Sequence, residues 1–279
     1  MSLLTFIFAT GMNAASFITA VDQMTITDLG NKKIYFASDF HLGVPDYERS
    51  LAREKRIVAW LDSIKADAHT IFLLGDIFDF WFEYRYTVPK GYIRLLGKLA
   101  ELRDAGIPII FFSGNHDLWM RDYFPAELGI PIYHEPQLLE VGNQKLLIGH
   151  GDGLGPGDKT YKLLKKYFFT SSVAQWLFRW LHPNIGMHLA NAWSKHSRIT
   201  NIKKDEQKFY GESGEFLWVF CKEIEKTTHH DYYIFGHRHL PLDLEVASGS
   251  RYINLGEWVN YNTYCVYDGT KVELKTFES

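Results

Sequence analysis

The fold is indicated first by residues 34–41, which read Ile34-Tyr35-Phe36-Ala37-Ser38-Asp39-Phe40-His41. The apolar run predicts a buried strand, and the polar residues Asp39 and His41 follow at its carboxyl end. Four more short apolar runs end in the same way, at Gly75-Asp76, Gly114-Asn115-His116-Asp117, Gly149-His150-Gly151 and Gly236-His237-Arg238-His239. Because ligands bind beyond the carboxyl ends of strands in open α/β sheets, we expect one edge of a sheet to collect all of these motifs.

The side chains in these motifs are metal ligands by type. They comprise two carboxylates, one amide and four imidazoles, from Asp39, Asp76, Asn115, His41, His150, His237 and His239. Each motif alone is ordinary turn chemistry, but the ordered set is specific. Carboxylate, amide oxygen and imidazole suit Mn²⁺, Fe²⁺ or Zn²⁺, whereas a structural zinc site would offer thiolates. We therefore expect two divalent ions, because a pair about 3.5–4 Å apart can stabilise charge on a phosphoryl group. Mn²⁺ is the preferred metal.

The remaining pattern predicts an α/β fold. Amphipathic helices are expected over residues 48–65 and 90–105, between the strands. Beyond His239 the pattern changes to strands over residues 242–246, 251–255, 263–267 and 271–277, with Asp268-Gly269 as a hairpin turn. A chain of 279 residues with 46% apolar content can bury a large core. Its two cysteines, Cys221 and Cys265, lie in apolar runs and are expected to be buried without a disulfide, which fits a reducing compartment.

The ordered motifs resemble the pattern of the calcineurin-like metallophosphoesterase superfamily, D-x-H, G-D, G-N-H-[DE], G-H and G-H-x-H, over residues 34–256. The resemblance implies a four-layer α/β fold in residues 24–279, with two packed β-sheets flanked by helices and a helical cap insertion at about residues 155–228. It also implies roles for the motifs. One ion would be held by Asp39, His41, Asp76 and His239, and the other by Asp76, Asn115, His150 and His237, with Asp76 as the bridge. His116, with Asp117 behind it, would act as a general acid.

Three stretches resemble, more narrowly, the UDP-2,3-diacylglucosamine pyrophosphohydrolase family of lipid A biosynthesis. Residues 75–81 match its G-D-[IL]-F-[ED]-x-W motif, His150-Gly151-Asp152 is followed by Asp158 and Tyr161, and a long insertion precedes Gly236. The resemblance implies attack at the α-phosphorus of UDP-2,3-diacylglucosamine, which yields UMP and 2,3-diacylglucosamine 1-phosphate. It implies substrate contacts from Asn115, His116, Trp81, Asp158, Tyr161, Ser194 and His237, although Trp81 is equally suited to packing.

Two departures keep other substrates open. Well-known members of the narrower family have Arg at the position of His116, and the segment around Ser194 matches only loosely. Alternatives are another metallophosphoesterase, such as a soluble nucleotide-sugar diphosphatase, a phosphodiesterase or a phosphoprotein phosphatase. A non-catalytic scaffold is disfavoured, because every ligand position is intact.

The insertion has an unusual composition. Residues 159–204 contain nine Lys or Arg, no Asp or Glu, and eight aromatic residues, although the whole chain carries a net charge of −3. Val173, Trp176, Leu177, Trp180 and Leu181 recur at helical spacing, which predicts a helix with one apolar face. It could be a solvated helical subdomain, a cap that binds an anionic lipid substrate and touches the membrane, or a nucleic-acid surface. We favour the membrane-facing cap and expect no nucleic-acid partner, because the domain as a whole is not basic.

The amino-terminal residues 1–23 do not match a complete targeting signal. Leu3 to Ala9 is apolar, but Lys32 is the first basic residue, so the charged start of a secretory signal is missing. We interpret these residues as an extension, either an over-long gene start or a flexible segment, and we favour this over the alternative of a signal or an anchor. The expected location is the cytoplasm, at the periphery of the inner membrane.

Overall fold

Two six-stranded mixed β-sheets form the centre of the protein in a computed structural model, which describes residues 22–155, 159–189 and 208–278. Sheet I has the strand order β12-β11-β2-β3-β4-β5. Its strands are β2 Lys33–Ala37, β3 Ala68–Leu74, β4 Ile109–Phe112, β5 Ile132–Tyr133, β11 Thr263–Tyr267 and β12 Val272–Thr276. Sheet II has the order β1-β6-β7-β8-β10-β9. Its strands are β1 Gln23–Ile26, β6 Gln137–Val141, β7 Gln144–Gly149, β8 Tyr232–Phe235, β9 Pro241–Ala247 and β10 Ser250–Leu255.

The helices lie outside the sheets or beyond their edge. They include α1 Tyr47–Ile64, α2 Ile93–Asp104, α3 Tyr123–Leu128, α4 Lys159–Leu164, α5 Ser172–Arg179 and α6 Phe216–Glu225, with a π-helical turn at Lys165–Phe169 and a 3₁₀ turn at Glu212–Gly214. Residues 183–189 are also helical. Helix α1 begins where Asp46 accepts a hydrogen bond from the Arg49 amide at 2.9 Å, which satisfies one of the donors left open at a helix start.

Three apolar clusters define four layers. Side chains of both sheets, including Phe36, Phe72, Ile148 and Ile234, form the cluster between the sheets, and the rings of Phe36 and Phe72 stack with centroids 5.3 Å apart. A second cluster joins the outer face of sheet I to α1 and α2, and a third joins the outer face of sheet II to α6. The predicted fold of two packed sheets flanked by helices is therefore confirmed.

The strands and helices expected from the sequence are present, with ends shifted by at most three residues. The Asp268-Gly269 turn joins β11 and β12, which pair antiparallel. Cys221 and Cys265 are buried and free, as expected. Helix α6 falls within the predicted insertion range but packs on sheet II through Leu217 and Phe220. Of the predicted extension, only residues 22 and 23 belong to the described chain, and Gln23 already pairs with Leu138.

The expectation that one sheet edge collects every motif was wrong. Strands β2, β3 and β4 run parallel in sheet I, whereas β7 and β8 run parallel in sheet II. The motifs therefore come from two sheet edges, and packing of the sheets face to face is what brings those edges together. Periodicity along the chain predicts strands but does not say which of them share a sheet.

Candidate metal centre

The seven predicted metal ligands follow five strands directly. Asp39 and His41 follow β2, Asp76 follows β3, Asn115 follows β4, His150 follows β7, and His237 and His239 follow β8. The strands hold the start of each loop rigidly. The first residues beyond them are therefore well placed for a site that needs fixed distances.

Five of these residues adopt a backbone conformation that non-glycine residues avoid. Asp39, His41, Asp76, His237 and His239 have φ angles between 45° and 69°. Residues held in this region cost of order 1–3 kcal/mol each and cluster at functional sites. These left-handed residues follow β2, β3 and β8. The strain is thus concentrated in the residues that the sequence identifies as ligands.

The first group of ligands converges tightly. Atoms of Asp39, His41, Asp76 and His239 all lie within 4.8 Å of one another. His41 Nε2 lies 3.0 Å from His239 Nε2 and 3.8 Å from Asp76 Oδ2. Asp39 Oδ1 lies 3.1 Å from His239 Nε2. These are the four residues that the superfamily resemblance assigns to one ion.

The second group shares Asp76 with the first. His150 Nε2 lies 3.4 Å from Asp76 Oδ2 and 3.4 Å from Asn115 Oδ1. His150 Nδ1 lies 2.8 Å from the carbonyl oxygen of Leu74, so its proton is directed at that carbonyl and Nε2 faces the carboxylate. The rings of His150 and His237 have centroids 5.2 Å apart. Asp76 therefore stands between both sets of ligands.

Two glycines permit this close approach. A Cβ on Gly114 would lie 2.6 Å from the backbone nitrogen of Asp76, and a Cβ on Gly75 would lie 2.6 Å from His150 Nδ1. Gly75 also has a φ of +88°, which glycine adopts without a steric cost. The glycines in the Gly-Asp and Gly-Asn-His-Asp motifs are thus required by space around Asp76 and His150.

The donor set fits divalent ions. Asp39 Oδ1 is buried and makes no hydrogen bond, although buried carboxylate oxygens normally have partners. The opposed Nε2 atoms of His41 and His239 are two nitrogens that a shared cation would satisfy together. Oxygen and imidazole ligands of this kind suit Mn²⁺, Fe²⁺ or Zn²⁺.

Electrostatics in the cluster favour bound cations. Burial alone would raise the pKa of Asp39, but the neighbouring His239 and His41 imidazoles hold that pKa well below its usual range. Burial alone would lower the pKa of His150, yet the neighbouring Asp76 carboxylate raises it to about 10. Burial and the charge of His150 lower the pKa of His237 to about 4. The carboxylates thus stay charged and attract a positive partner, and metal ions would displace the proton on His150.

Comparison with known proteins agrees with this geometry. A family model described as calcineurin-like phosphoesterase matches residues 32–241, which include every ligand motif. The chain belongs to the calcineurin-like phosphoesterase family. The resemblance seen in the motifs is confirmed, and the phosphoesterase is a metal-dependent phosphoester hydrolase.

Two curated relatives cover almost the whole phosphoesterase. A UDP-2,3-diacylglucosamine hydrolase of Porphyromonas gingivalis is 37% identical over 262 residues, which cover 88% of this chain and 98% of the relative. A UDP-2,3-diacylglucosamine hydrolase of Shewanella baltica is 27% identical over 241 residues, which cover 86% of this chain and 95% of the relative.

A carboxylate beside His116 Nδ1 is that of Asp79, whereas both oxygens of Asp117, which was expected behind His116, are directed at backbone amides. His116 Nδ1 lies 3.0 Å from the Asp79 carbonyl oxygen and 3.5 Å from Asp79 Oδ1. Asp117 is fully buried and accepts hydrogen bonds from four backbone amides, those of Asp76, Ile77, Phe78 and Gly114. Asp117 therefore holds the β3 and β4 loops together. Asp79 lies three residues beyond Asp76 on the loop after β3. The sequence did not point to it because 37 positions separate it from His116 in the chain.

The predicted substrate contacts have different outcomes. Trp81 is fully buried, and its ring packs 5.0 Å from Phe124 and 4.5 Å from Phe78 between centroids. It is therefore a core residue. Its Nε1 donates a hydrogen bond to the buried Glu83 carboxylate at 3.1 Å, so the polar atom of the buried indole has a partner. Asp158 and Ser194, and the side chain of Tyr161, lie outside the described residues.

A buried ion pair supports the last ligand loop. Arg238, between His237 and His239, directs Nε to both oxygens of Glu215 at 3.0 and 2.9 Å. Glu215 immediately precedes α6 and also accepts from the Tyr252 hydroxyl at 3.3 Å. This pair ties the His237–His239 loop to the outer helix layer. Sequence reasoning gave Arg238 no role, although its position inside the Gly-His-Arg-His motif was a signal.

Helix α5 has two different sides. Phe178 packs on the core, with its ring centroid 4.5 Å from that of Phe82 and 5.0 Å from that of Trp119. The predicted apolar residues Val173, Trp176, Leu177 and Trp180 are exposed, Trp180 to 76%. The predicted helix is confirmed, and its apolar face is open. Among the described residues, no helix is long and apolar enough to cross a bilayer.

Proposed function

We propose that this phosphoesterase hydrolyses the diphosphate of UDP-2,3-diacylglucosamine to UMP and 2,3-diacylglucosamine 1-phosphate, a step of lipid A biosynthesis. The observation that carries this proposal is the convergence of the seven predicted ligand side chains, in a chain whose relatives over nearly their full length are named for that substrate. Phosphoryl transfer needs neutralisation of charge and positioning, and a site of this kind offers both.

Two divalent ions are assigned to the cluster, with Mn²⁺ as the preferred metal. Asp39, His41, Asp76 and His239 would hold one ion, and Asp76, Asn115, His150 and His237 the other. When bound, the ions would polarise the phosphoryl group and lower the pKa of a water molecule toward neutrality. The strained backbone and the buried Asp39 oxygen support this assignment.

His116 is assigned as the general acid that donates a proton to the leaving group. It lies beside the cluster, with its ring centroid 5.0 Å from that of His41. With Nδ1 donating to the Asp79 carbonyl oxygen at 3.0 Å, the doubly protonated ring would carry its second proton on Nε2 and give that proton to the leaving group. Asn115 and His237 are proposed to orient the phosphate. Asp158, Tyr161 and Ser194 remain predicted contacts of the nucleotide-linked sugar.

The exposed face of α5 is proposed to touch the inner membrane from the cytoplasm. Trp176 and Trp180 stand one helical turn apart, with ring centroids at 5.9 Å, and tryptophan favours the boundary between headgroups and acyl chains. Exposed Arg179 lies in the last turn of the same helix, where it could meet anionic lipid. The test is flotation with anionic vesicles: the W176A/W180A variant should lose binding that Y86A, at another exposed aromatic, retains. Equal flotation of both variants would contradict this contact.

The direct test of the substrate is UMP release by purified protein with Mn²⁺. UDP-2,3-diacylglucosamine is compared with UDP-N-acetylglucosamine, which lacks the long acyl chains. We expect turnover of the acylated substrate alone. Equal turnover of both would assign a soluble nucleotide-sugar diphosphatase, and turnover of neither would direct the search to phosphodiester or phosphoprotein substrates.

A further inference from the structure

One π-helical turn contacts the ligand loops of both sheets. The turn Lys165–Phe169 follows α4 directly, and its end is closed by Thr170, whose amide and hydroxyl both donate to the Lys165 carbonyl at 3.0 Å. Single π-helical turns are rare and are frequently found at functional sites. The two ends of this turn are bound to different parts of the metal centre.

The first end contacts the loop of His150. Lys165 Nζ lies 2.6 Å from Asp152 Oδ2, and the two side chains are only 12% and 5% exposed. Asp152 stands two residues beyond His150 on the loop that leaves β7 of sheet II. Separating the two side chains would leave two uncompensated buried charges, which is costly. The ion pair therefore keeps Lys165 and Asp152 close together.

The second end contacts the loop of Asn115 and His116. The carbonyl oxygen of Phe169 accepts a hydrogen bond from Trp119 Nε1 at 2.7 Å. The indole is nearly buried and packs edge-on to the Phe82 ring with centroids 5.1 Å apart. Trp119 is three residues beyond His116, on the loop that leaves β4 of sheet I.

We propose that the turn Lys165–Phe169 is a brace that holds the His150 loop and the Asn115–His116 loop in register, with Lys165 as the positioning residue. Packing between the sheets is apolar and non-directional, so it does not by itself fix the two loop tips. Inside the site the two loops meet where His150 Nε2 lies 3.4 Å from Asn115 Oδ1. The turn joins them a second time from outside. This inference rests on the proposed function only for the roles of Asn115, His116 and His150.

The test compares K165M with wild type in the full-length protein by hydrogen–deuterium exchange, with Mn²⁺ and after chelation. The brace predicts about tenfold faster exchange both in residues 150–154 and in residues 114–119, because loss of the ion pair frees both loops. K165R should retain slow exchange. K226M is the matched control, since it removes an exposed Lys226–Glu223 pair whose side chains are 68% and 63% exposed.

Kinetics provide the second measurement. K165M should lower kcat about tenfold or more with KM within about threefold of wild type, and K165R should restore kcat. Unchanged exchange in residues 114–119 would overturn the brace. A raised KM with normal kcat and normal exchange would also overturn it, because Lys165 would then be a substrate contact.

Two further arrangements keep the outcomes distinct. If K165M does not fold, D152N/K165M removes both charges, and the same exchange increase is expected. Exchange equal to wild type in that variant would overturn the brace. If wild type fails to release UMP, the proposed substrate is wrong, but exchange in the chelated protein still decides the brace.

Discussion

His41 Nε2 and His239 Nε2 lie 3.0 Å apart although 198 positions separate the two residues in the chain. One follows β2 in sheet I and the other follows β8 in sheet II. A single proton between the two nitrogens gives a hydrogen bond of this length. A divalent cation bound by both lone pairs would take the place of that proton. The contact between the sheets is therefore also the place where their ligands meet.

Replacement of the shared carboxylate is the strongest test of the centre. D76A should abolish turnover with the fold intact, and its loss should exceed the roughly 10–100-fold cost of removing a residue that only supports a ligand. UMP release and metal content would be measured beside D104A, at an exposed helix end. Near-normal turnover by D76A would rule out Asp76 as the bridge.

Asp79 should matter for chemistry more than for stability. D79N removes the negative charge 3.5 Å from His116 Nδ1 and keeps the backbone carbonyl oxygen that lies 3.0 Å from it, so kcat should fall by about 10-fold while KM changes little. Steady-state kinetics and urea unfolding would be run on the same preparation. A variant with normal kcat would show that Asp79 does not orient His116.

Asp117 should show the opposite pattern. Its carboxylate accepts four backbone amides, and an amide side chain would turn one acceptor oxygen into a donor facing those groups. D117N should lower the free energy of unfolding by about 2–5 kcal/mol. Denaturant unfolding measures this directly. If stability is unchanged while turnover is lost, Asp117 acts on the reaction as first predicted.

The close approach of two loops at Gly114 can be tested with a single methyl group. A Cβ there would lie 2.6 Å from the Asp76 nitrogen, so G114A should displace Asp76 and lower both turnover and metal content. G97A is the control, because a Cβ at Gly97 in α2 meets nothing within 4 Å and should stabilise the helix by about 0.5–1 kcal/mol. G114A with full metal content would show that the loop relaxes around the methyl group.

The Arg238–Glu215 pair should be stabilising through its burial. E215Q leaves a nearly buried guanidinium without its counter-charge, and the free energy of unfolding should fall by about 3–5 kcal/mol. D243N removes the partner of Arg251 in a pair whose side chains are 45% and 36% exposed, and should change stability by about 1 kcal/mol or less. Equal effects of E215Q and D243N would deny the pair its structural role.

Most of the site was predictable because each of the five motifs follows a short apolar strand and four of them contain a glycine. Local pattern shows where a strand ends, and a ligand there is placed by the strand itself. The partner of His116 was not predictable in this way. Asp117 is its sequence neighbour, yet a turn places that carboxylate over backbone amides, and Asp79 reaches His116 through long-range packing.

Trp81 and α5 show a second limit of the sequence. In a sequence, a tryptophan that packs in the core cannot be told from one that lines a binding site. The packing of Trp81 against Phe78 and Phe124 is what assigns it to the core. Conversely, the helical spacing of Trp176 and Trp180 predicts an apolar face but not what covers it. Burial depends on the whole fold, so the exposure of the apolar face of α5 could be determined only from the structure.

The most direct measurement is hydrolysis of UDP-2,3-diacylglucosamine in ¹⁸O-labelled water, with mass analysis of both products. Water attacking the α-phosphorus places the label in UMP and leaves 2,3-diacylglucosamine 1-phosphate unlabelled, as we predict for the wild-type protein with Mn²⁺. Label in the sugar phosphate would contradict the proposed attack, and absence of UMP would contradict the substrate.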